Sequence, residues 1–406
     1  MTTTEPTETT DGPLAGLTVI EAGTMISANT AGRFLADFGA EVIKIEHPAA
    51  GDHLRRFGPQ KNGAGLWWKY LARNKKSVTL DLSSEQGTVV FEDLIREADA
   101  LIENFRPGTL ERWGVGWEHL STVNPDLVMV RISGFGQDGP YSKRPGFGTL
   151  AESMSGFAYL NGYPDREPLL PPTGLADGIA ATFAAFSLLF ALYNRDVNGG
   201  GGQYVDTSLI EPIFSVLGPQ PLRYQQREEI EKRTGNRSVS SAPRNVYETG
   251  DGRAVAISAS AQPIAMRLFD AIERPELRDD ERFENNKKRL ENVEELDRII
   301  QEWMSEHSRE EILERFEEYE TTIAPVYNVS DILADEHYTA RQAVIEVEDD
   351  ELGTGLVQNT FPKFSETPGE VRHLGPPLGA HNDAVYGEYL GYDDELRAEL
   401  ESEGVI

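Results

Sequence analysis

Short apolar runs alternate with amphipathic stretches along the first half of the chain. Leu17–Ala22 (LTVIEA) predicts a short buried strand, small residues follow, and a helix from about Ala31 to Gly39 leads into a second strand at Glu41–Glu46 (EVIKIE). Strand, helix and strand within about thirty residues is the βαβ unit of a parallel sheet. The alternation continues with a strand at Ser77–Leu82, a helix at Glu85–Glu97, and strands at Ala100–Glu103 and Leu127–Ile132. This half reads as α/β with a Rossmann-like layout. No G-x-G-x-x-G run follows the first strand, so a dinucleotide cofactor is not supported.

From Pro171 to Glu211 the pattern is a loop, a long apolar helix, a glycine run and a short strand. Its greasiest part, Ile179–Tyr193, is too short to span a bilayer and carries Thr182 and Ser187, which points to a soluble protein. Beyond Glu211 the chain turns polar. A strand is expected at Arg253–Ser260, then helices at about Pro263–Ile272, Asn292–Glu306 and Arg309–Tyr319. From about Ile345 two strands, a polar turn and two short helices close the chain. The expected organisation is a disordered polar tail at 1–13, a large Rossmann-like domain from 14–220 and 345–406, and a small α+β domain at 221–344. The tail (MTTTEPTETTDGP) has no basic start followed by an apolar core, so it does not read as a secretory signal.

Composition narrows the chemistry. With no Cys, disulfides, thiolate nucleophiles and sulfur-ligated zinc are excluded. The 68 acidic residues outnumber 28 Arg and ten Lys for a formal net charge of -30. Such an acidic surface stays hydrated and self-repelling, as in proteins of a salt-loving cytoplasm, and it makes nucleic acid a poor partner. Against this background His47–Lys76 holds seven basic residues (Arg55, Arg56, Lys61, Lys69, Arg73, Lys75 and Lys76) and one acid, Asp52. Two readings stand for that cluster: internal pairs with the acidic surface, or a site for a small polyanion to which Arg106, Arg112, Lys143 and Arg144 contribute. The aromatic runs Leu66–Tyr70 and Trp113–Trp117 are expected to be packing, and Gly134–Gly148 an irregular loop.

One carboxylate stands out. Asp177 falls where the Pro171 loop becomes the long helix, with Gly178 after it and Ala, Phe, Leu and Ile in the following turns. A first-turn carboxylate complements the unpaired N–H groups there, and most such residues do no more than that. Small and apolar neighbours that exclude water would also suit a carboxylate nucleophile.

Taken together, PLAGLTVIEAG, LADFGAEVIKIEHPAAGDHLR, NKKSVTLDL, ENFRPGTLERWG, SGFGQDGPY, the GLADG…GGGGQYVDTSLIE block and LGAHNDAVYGEYLG resemble the family III CoA-transferases. That group contains formyl-CoA transferase, carnitine CoA-transferase and α-methylacyl-CoA racemase, and the resemblance runs from about Pro13 to Gly404. It implies two interlocked protomers forming a homodimer, no permanently bound cofactor, no metal, and CoA thioesters as substrates lying over the C-terminal ends of the parallel strands. Asp177 matches the catalytic carboxylate. Positions matching CoA contacts are Met25, Ile26, Ser27, Leu80, Asp81, Leu82, Ser83, Asn104, Phe105, Arg106, Arg112, Arg144, Gly146 and Gly148. His47 stands where an Arg is usual after the second strand, and Arg55 or Lys75 would have to replace that phosphate contact.

The racemase branch uses a His and an Asp as acid and base, the His in an HDxNY run. The matching run here is Gly146–Ser153 (GFGTLAES), with Phe147 near the His position and none of the seven His in it. CoA transfer is therefore expected over racemisation, with non-catalytic acyl-CoA binding as a third reading. The expected enzyme is cytoplasmic and takes CoA from succinyl-CoA to a small branched dicarboxylate such as mesaconate, with Arg144 or Arg237 as candidates for the second carboxylate.

Overall fold

The computed structural model describes residues 12–406, so residues 1–11 of the expected tail lie outside it. The chain divides into two compact units. One comprises the chain up to Phe157, Leu170–Gly218 and Thr339–Ile406; the other comprises Ala158–Leu169 and Pro219–Tyr338.

The larger unit is built on a six-stranded sheet: β1 (Thr18–Glu21), β2 (Glu41–Glu46), β3 (Lys76–Thr79), β4 (Ala100–Glu103), β5 (Val128–Ser133) and β6 (Gln203–Ser208). Every neighbouring pair is parallel and the spatial order is β3-β2-β1-β4-β5-β6. This is the doubly wound order, which reverses direction between β1 and β4 and opens a crevice at the carboxyl ends of those strands. Strands buried on both faces are nearly all apolar: Val19, Ile20, Val42, Ile43, Leu101, Ile102 and Val130 are all but inaccessible.

Four helices pack into the two cores that cover this sheet. They are α1 (Ser27–Asp37), α2 (Glu85–Arg96), α3 (Gly148–Met154) and α4 (Leu175–Asp196); α1, α3 and α4 lie in one core and α2 in the other. Helix α1 begins before the expected Ala31 because Ser27, Asn29 and Thr30 are buried in its first turn, where their polarity hid the helical pattern. Helix α2 is capped by Ser84 Oγ accepting from Gly87 N–H. Helix α4 is long and apolar enough to cross a membrane by length and composition. Its small-residue face (Ala176, Ala180, Ala181, Ala184, Leu188) is nevertheless built into the core with α1 and the sheet, which makes it a core helix of a soluble protein. A short helix, α5 (Ile210–Ser215), follows β6.

The smaller unit carries an antiparallel sheet of β7 (Arg244–Glu248), β8 (Ala254–Ser258) and β9 (Ile323–Pro325) in the order β9-β8-β7. Helices α6 (Gln262–Ala271), α7 (Val293–Met304) and α8 (Arg309–Glu318) close its own core around Phe269, Phe283, Ile300 and Phe316. Back in the larger unit, β10 (Val344–Asp349) and β11 (Gly353–Gln358) form a hairpin and α9 (Asp394–Ser402) ends the chain, with Val405 and Ile406 in the core beside Leu80 and Leu82.

Candidate active site

Residues following four strands meet at the carboxyl edge of the sheet. A cavity of about 290 Å³ is lined by Ala22 and Thr24 after β1, Glu46, His47, Ala50, Gly51, Asp52 and His53 around the end of β2, Leu80–Ser83 after β3, and Phe105 and Trp113 after β4. It gathers His47, Leu80, Asp81, Leu82, Ser83 and Phe105 from the expected coenzyme contacts. It also brings in Thr24, Gly51, His53 and Trp113, which sequence reasoning missed. Thr24 could have been found from strand order, since anything just after β1 must face the crevice.

The loop after β1 is held from both sides. Asn104 Oδ1 accepts from Thr24 N–H at 2.7 Å, while Nδ2 donates to Thr24 O at 2.7 Å and to Ser27 Oγ at 3.0 Å. Asp52 Oδ1 accepts from Met25 N–H at 3.0 Å, and Met25 sits at a left-handed φ of 62°. Glu103 Oε2 accepts from Phe105 N–H at 2.7 Å and Oε1 from Arg131 Nε at 2.8 Å. Met25, Ser27 and Asn104 thus take part in shaping the loop.

Beneath that loop lies a buried ionic cluster. Lys44 Nζ lies 3.1 Å from Glu21 Oε1 and 2.9 Å from Asp52 Oδ2, and Lys75 Nζ lies 2.6 Å from Glu21 Oε2, all with side chains at most 1% exposed. Burial drives the Lys75 ammonium down to about 8, against the pull of Glu21. At Lys44 burial acts the same way, but Asp52 and Glu21 outweigh it and hold the ammonium above its usual range.

This corrects the polyanion reading of the His47–Lys76 cluster. Arg55 is bound to Glu46, Lys69 to Asp349 and Glu351, Arg73 to Asp37, Lys75 to Glu21 and Lys76 to Glu41. Lys75 is fully buried and cannot replace the phosphate contact expected at His47. Arg55 is committed to Glu46 and to the face of Trp68, 3.7 Å from the ring centroid. The cluster is mostly internal pairing. Arg106 and Arg112, by contrast, are exposed beside the lining residues Phe105 and Trp113. Arg112 donates to Gly108 O and Thr109 Oγ1 and has no carboxylate against it among the described residues. Arg144 is exposed and stacks on Tyr141 at 3.7 Å. Arg237 is tied to Asp297 at 2.6 Å in the smaller unit.

Asp177 is the third residue of α4 and is half-buried. Two glycines make its space. A Cβ on Gly148 would lie 2.2 Å from Asp177 Oδ2, and one on Gly174 would lie 3.3 Å from Oδ2 and 3.2 Å from Ile26 Cδ1. Gly146 is packed backbone to backbone against Gly134 and so seats the loop that delivers Gly148. Burial first, and the Glu152 carboxylate second, push the Asp177 carboxyl up to about 6. Glu152 is itself buried and accepts from Ala176 N–H at 3.2 Å with Oε1, occupying one of the N–H groups that a helix start leaves unpaired. Sequence reasoning missed Glu152. The four-residue spacing from Gly148 was its one signal. Among the described residues no group of His, Asp and Glu is arranged to hold a metal ion.

A doubly wound sheet with a cavity at its carboxyl edge and a carboxylate of raised basicity at a helix start is the architecture of an α/β enzyme for small ligands. The model of CoA-transferase family III matches residues 14–382, and the chain belongs to that family of enzymes, whose substrates are CoA thioesters. It is 41% identical over 395 residues to the succinyl-CoA–D-citramalate CoA-transferase of Chloroflexus aurantiacus, covering 97% of this chain and 98% of the relative. It is 42% identical over 402 residues to the β subunit of succinyl-CoA–L-malate CoA-transferase from the same organism, covering 98% and 99%. A CAIB/BAIF family protein from Brucella suis has the same fold, with a TM-score of 0.83 at 30% identity over 93% of this chain and 99% of that one.

Proposed function

We propose that the protein moves CoA from succinyl-CoA to a small dicarboxylate acceptor, with Asp177 as the nucleophile and carrier. Its support is the raised carboxylate in a space cleared by Gly148 and Gly174, together with relatives named for succinyl-CoA, malate and citramalate. Asp177 attacks the thioester carbonyl, the C–S bond breaks, and CoA leaves as thiolate from a mixed anhydride. The thiolate then attacks the aspartyl carbonyl, giving an aspartyl-CoA thioester and free succinate. The acceptor carboxylate reverses the sequence and departs as its CoA ester. A carboxylate suits this work because its anhydride and its thioester are both reactive enough to be undone.

The acceptor we assign is a small branched dicarboxylate of the mesaconate and citramalate type. CoA lies in the crevice lined by His47, Leu80–Ser83 and Phe105, with its phosphates toward Arg106 and Arg112. The working form is a cytoplasmic homodimer. In its support, the outward face of α4 exposes Phe186, Leu189, Phe190 and Tyr193, an apolar stripe that a second copy would cover.

The test is an exchange assay at high salt with succinyl-CoA and a panel of mono- and dicarboxylates. Asp177→Ala should abolish exchange and keep CoA binding, and hydroxylamine should label a peptide containing Asp177 in the wild type only. Residual turnover in the variant, or an unmodified Asp177 peptide, would refute the carrier role.

A further inference from the structure

Helix α3 sets two residues against the start of α4, one turn apart on a single face. Gly148 clears the space of Asp177 Oδ2, and Glu152 reaches Ala176 N–H at 3.2 Å. Glu152 is 3% exposed, and no cation pairs with it among the described residues. A buried carboxylate without a cationic partner is costly to keep, and such groups concentrate at functional sites. Charges on the other elements around α4 are engaged elsewhere: on α1, Arg33 donates to Tyr70 Oη at 2.8 Å and Asp37 pairs with Arg73 at 2.7 Å. Arg131 on β5 is held by Glu103 and Glu111, Asp206 beside it on β6 accepts from Gln137 N–H, and Glu211 on α5 accepts from Ser208 Oγ. The loop before α1 contributes the apolar Ile26. Glu152 is the charged neighbour that acts on Asp177.

We propose that Glu152 is a positioning residue of the exchange reaction, fixing the first turn of α4 and holding a second negative charge against the Asp177 carboxylate. The inference rests on Asp177 being the carrier. When an Asp177 oxygen bonds to the acyl carbon, the electron pair of the broken C–S bond leaves with CoA, and Asp177 is no longer anionic. Repulsion from Glu152 exists in the free enzyme and is relieved in the anhydride and the thioester. It therefore raises the ground state relative to the step that captures the acyl group.

The pH dependence of kcat/KM for succinyl-CoA in the wild type, Glu152→Gln, Glu152→Asp and Asp177→Ala tests this, because kcat/KM reports ionisations of the free enzyme. The wild-type acid limb should lie near pH 6. Glu152→Gln keeps an oxygen for Ala176 N–H and loses the charge, so its Tm should hold while the limb drops by about one pH unit. Glu152→Asp keeps the charge but not the reach, so its Tm should fall while the limb stays within about 0.3 unit of wild type. A Glu152→Gln limb that coincides with the wild type overturns the proposal. If that variant does not fold, a Glu152→Asp limb in the ordinary carboxylate range overturns it instead. Failure of the underlying reading looks different: Asp177→Ala would then continue to exchange CoA.

Discussion

Gly148→Ala isolates the geometry at Asp177 from the stability of the fold. The residue opens α3 at a backbone conformation that alanine adopts freely, so the change should favour the helix by up to about 1 kcal/mol. Its new Cβ would stand 2.2 Å from Asp177 Oδ2 and 3.2 Å from Cγ, closer than real carbon–oxygen contacts allow. The carboxylate must then retreat by about 1 Å, and turning it off its rotamer costs about 0.5–1.5 kcal/mol. These terms nearly cancel in folding, so a urea melt should show stability within about 1 kcal/mol of wild type. They do not cancel in catalysis. A displacement of about 1 Å at the reacting atom is worth about a hundredfold in rate, or about 2.7 kcal/mol of barrier. The expected result is exchange reduced about a hundredfold, with CoA binding by calorimetry preserved. A folded Gly148→Ala enzyme with wild-type turnover would show that Asp177 Oδ2 does not need its observed position.

Other perturbations reach the supports of the site. Asn104→Ala strips the acceptor from Thr24 N–H and the donor from Thr24 O and Ser27 Oγ; it should cost about 2–3 kcal/mol in a denaturant melt and weaken CoA binding measured by calorimetry. Lys44→Met leaves Glu21 and Asp52 short of their buried counter-charge and should lose about 3–5 kcal/mol, read by thermal unfolding. Asp177 is raised to about 6 when folded, so between that value and the ordinary carboxylate range the native state holds a proton that the unfolded chain has released. Its penalty is full above pH 6 and disappears as pH falls toward 4. Asp177→Asn should therefore be more stable than wild type by about 2–3 kcal/mol at about pH 7.5 and lose that advantage near pH 4, by paired melts across the range.

Much of the larger unit is legible in the sequence because its signals are local. Glu41–Glu46 and Ala100–Glu103 are strands over the residues expected, since short β-branched runs flanked by turns have few other uses. Helix α3 escapes such a reading, because its seven residues after a glycine-rich loop are too few to display a period. Strand β9 is three residues long and paired with a segment some seventy residues earlier in the chain, which no local pattern reveals. Asp177 is visible as a first-turn carboxylate. Its neighbour Glu152 is not, because contact between α3 and α4 is a tertiary fact.

The basic cluster shows why composition alone misplaces a site. In a chain with thirty more acidic than basic side chains, a run of cations is first of all a supply of counter-charge for carboxylates the fold must bury. Glu21, Asp37, Glu46 and Asp52 are each at most 3% exposed, and the basic residues meeting them include Arg55, Arg73 and Lys75 from that run. Burying those carboxylates without partners would cost several kcal/mol each, so pairing takes precedence over ligand binding. The cations available to an anionic ligand are then the ones left without an acid, such as Arg106 and Arg112 among the described residues. Both stand beside the residues that line the cavity at the carboxyl edge of the sheet. If they hold the phosphates of CoA as proposed, Arg106→Ala and Arg112→Ala should each weaken CoA binding, whereas Arg55→Ala should act mainly on stability through Glu46.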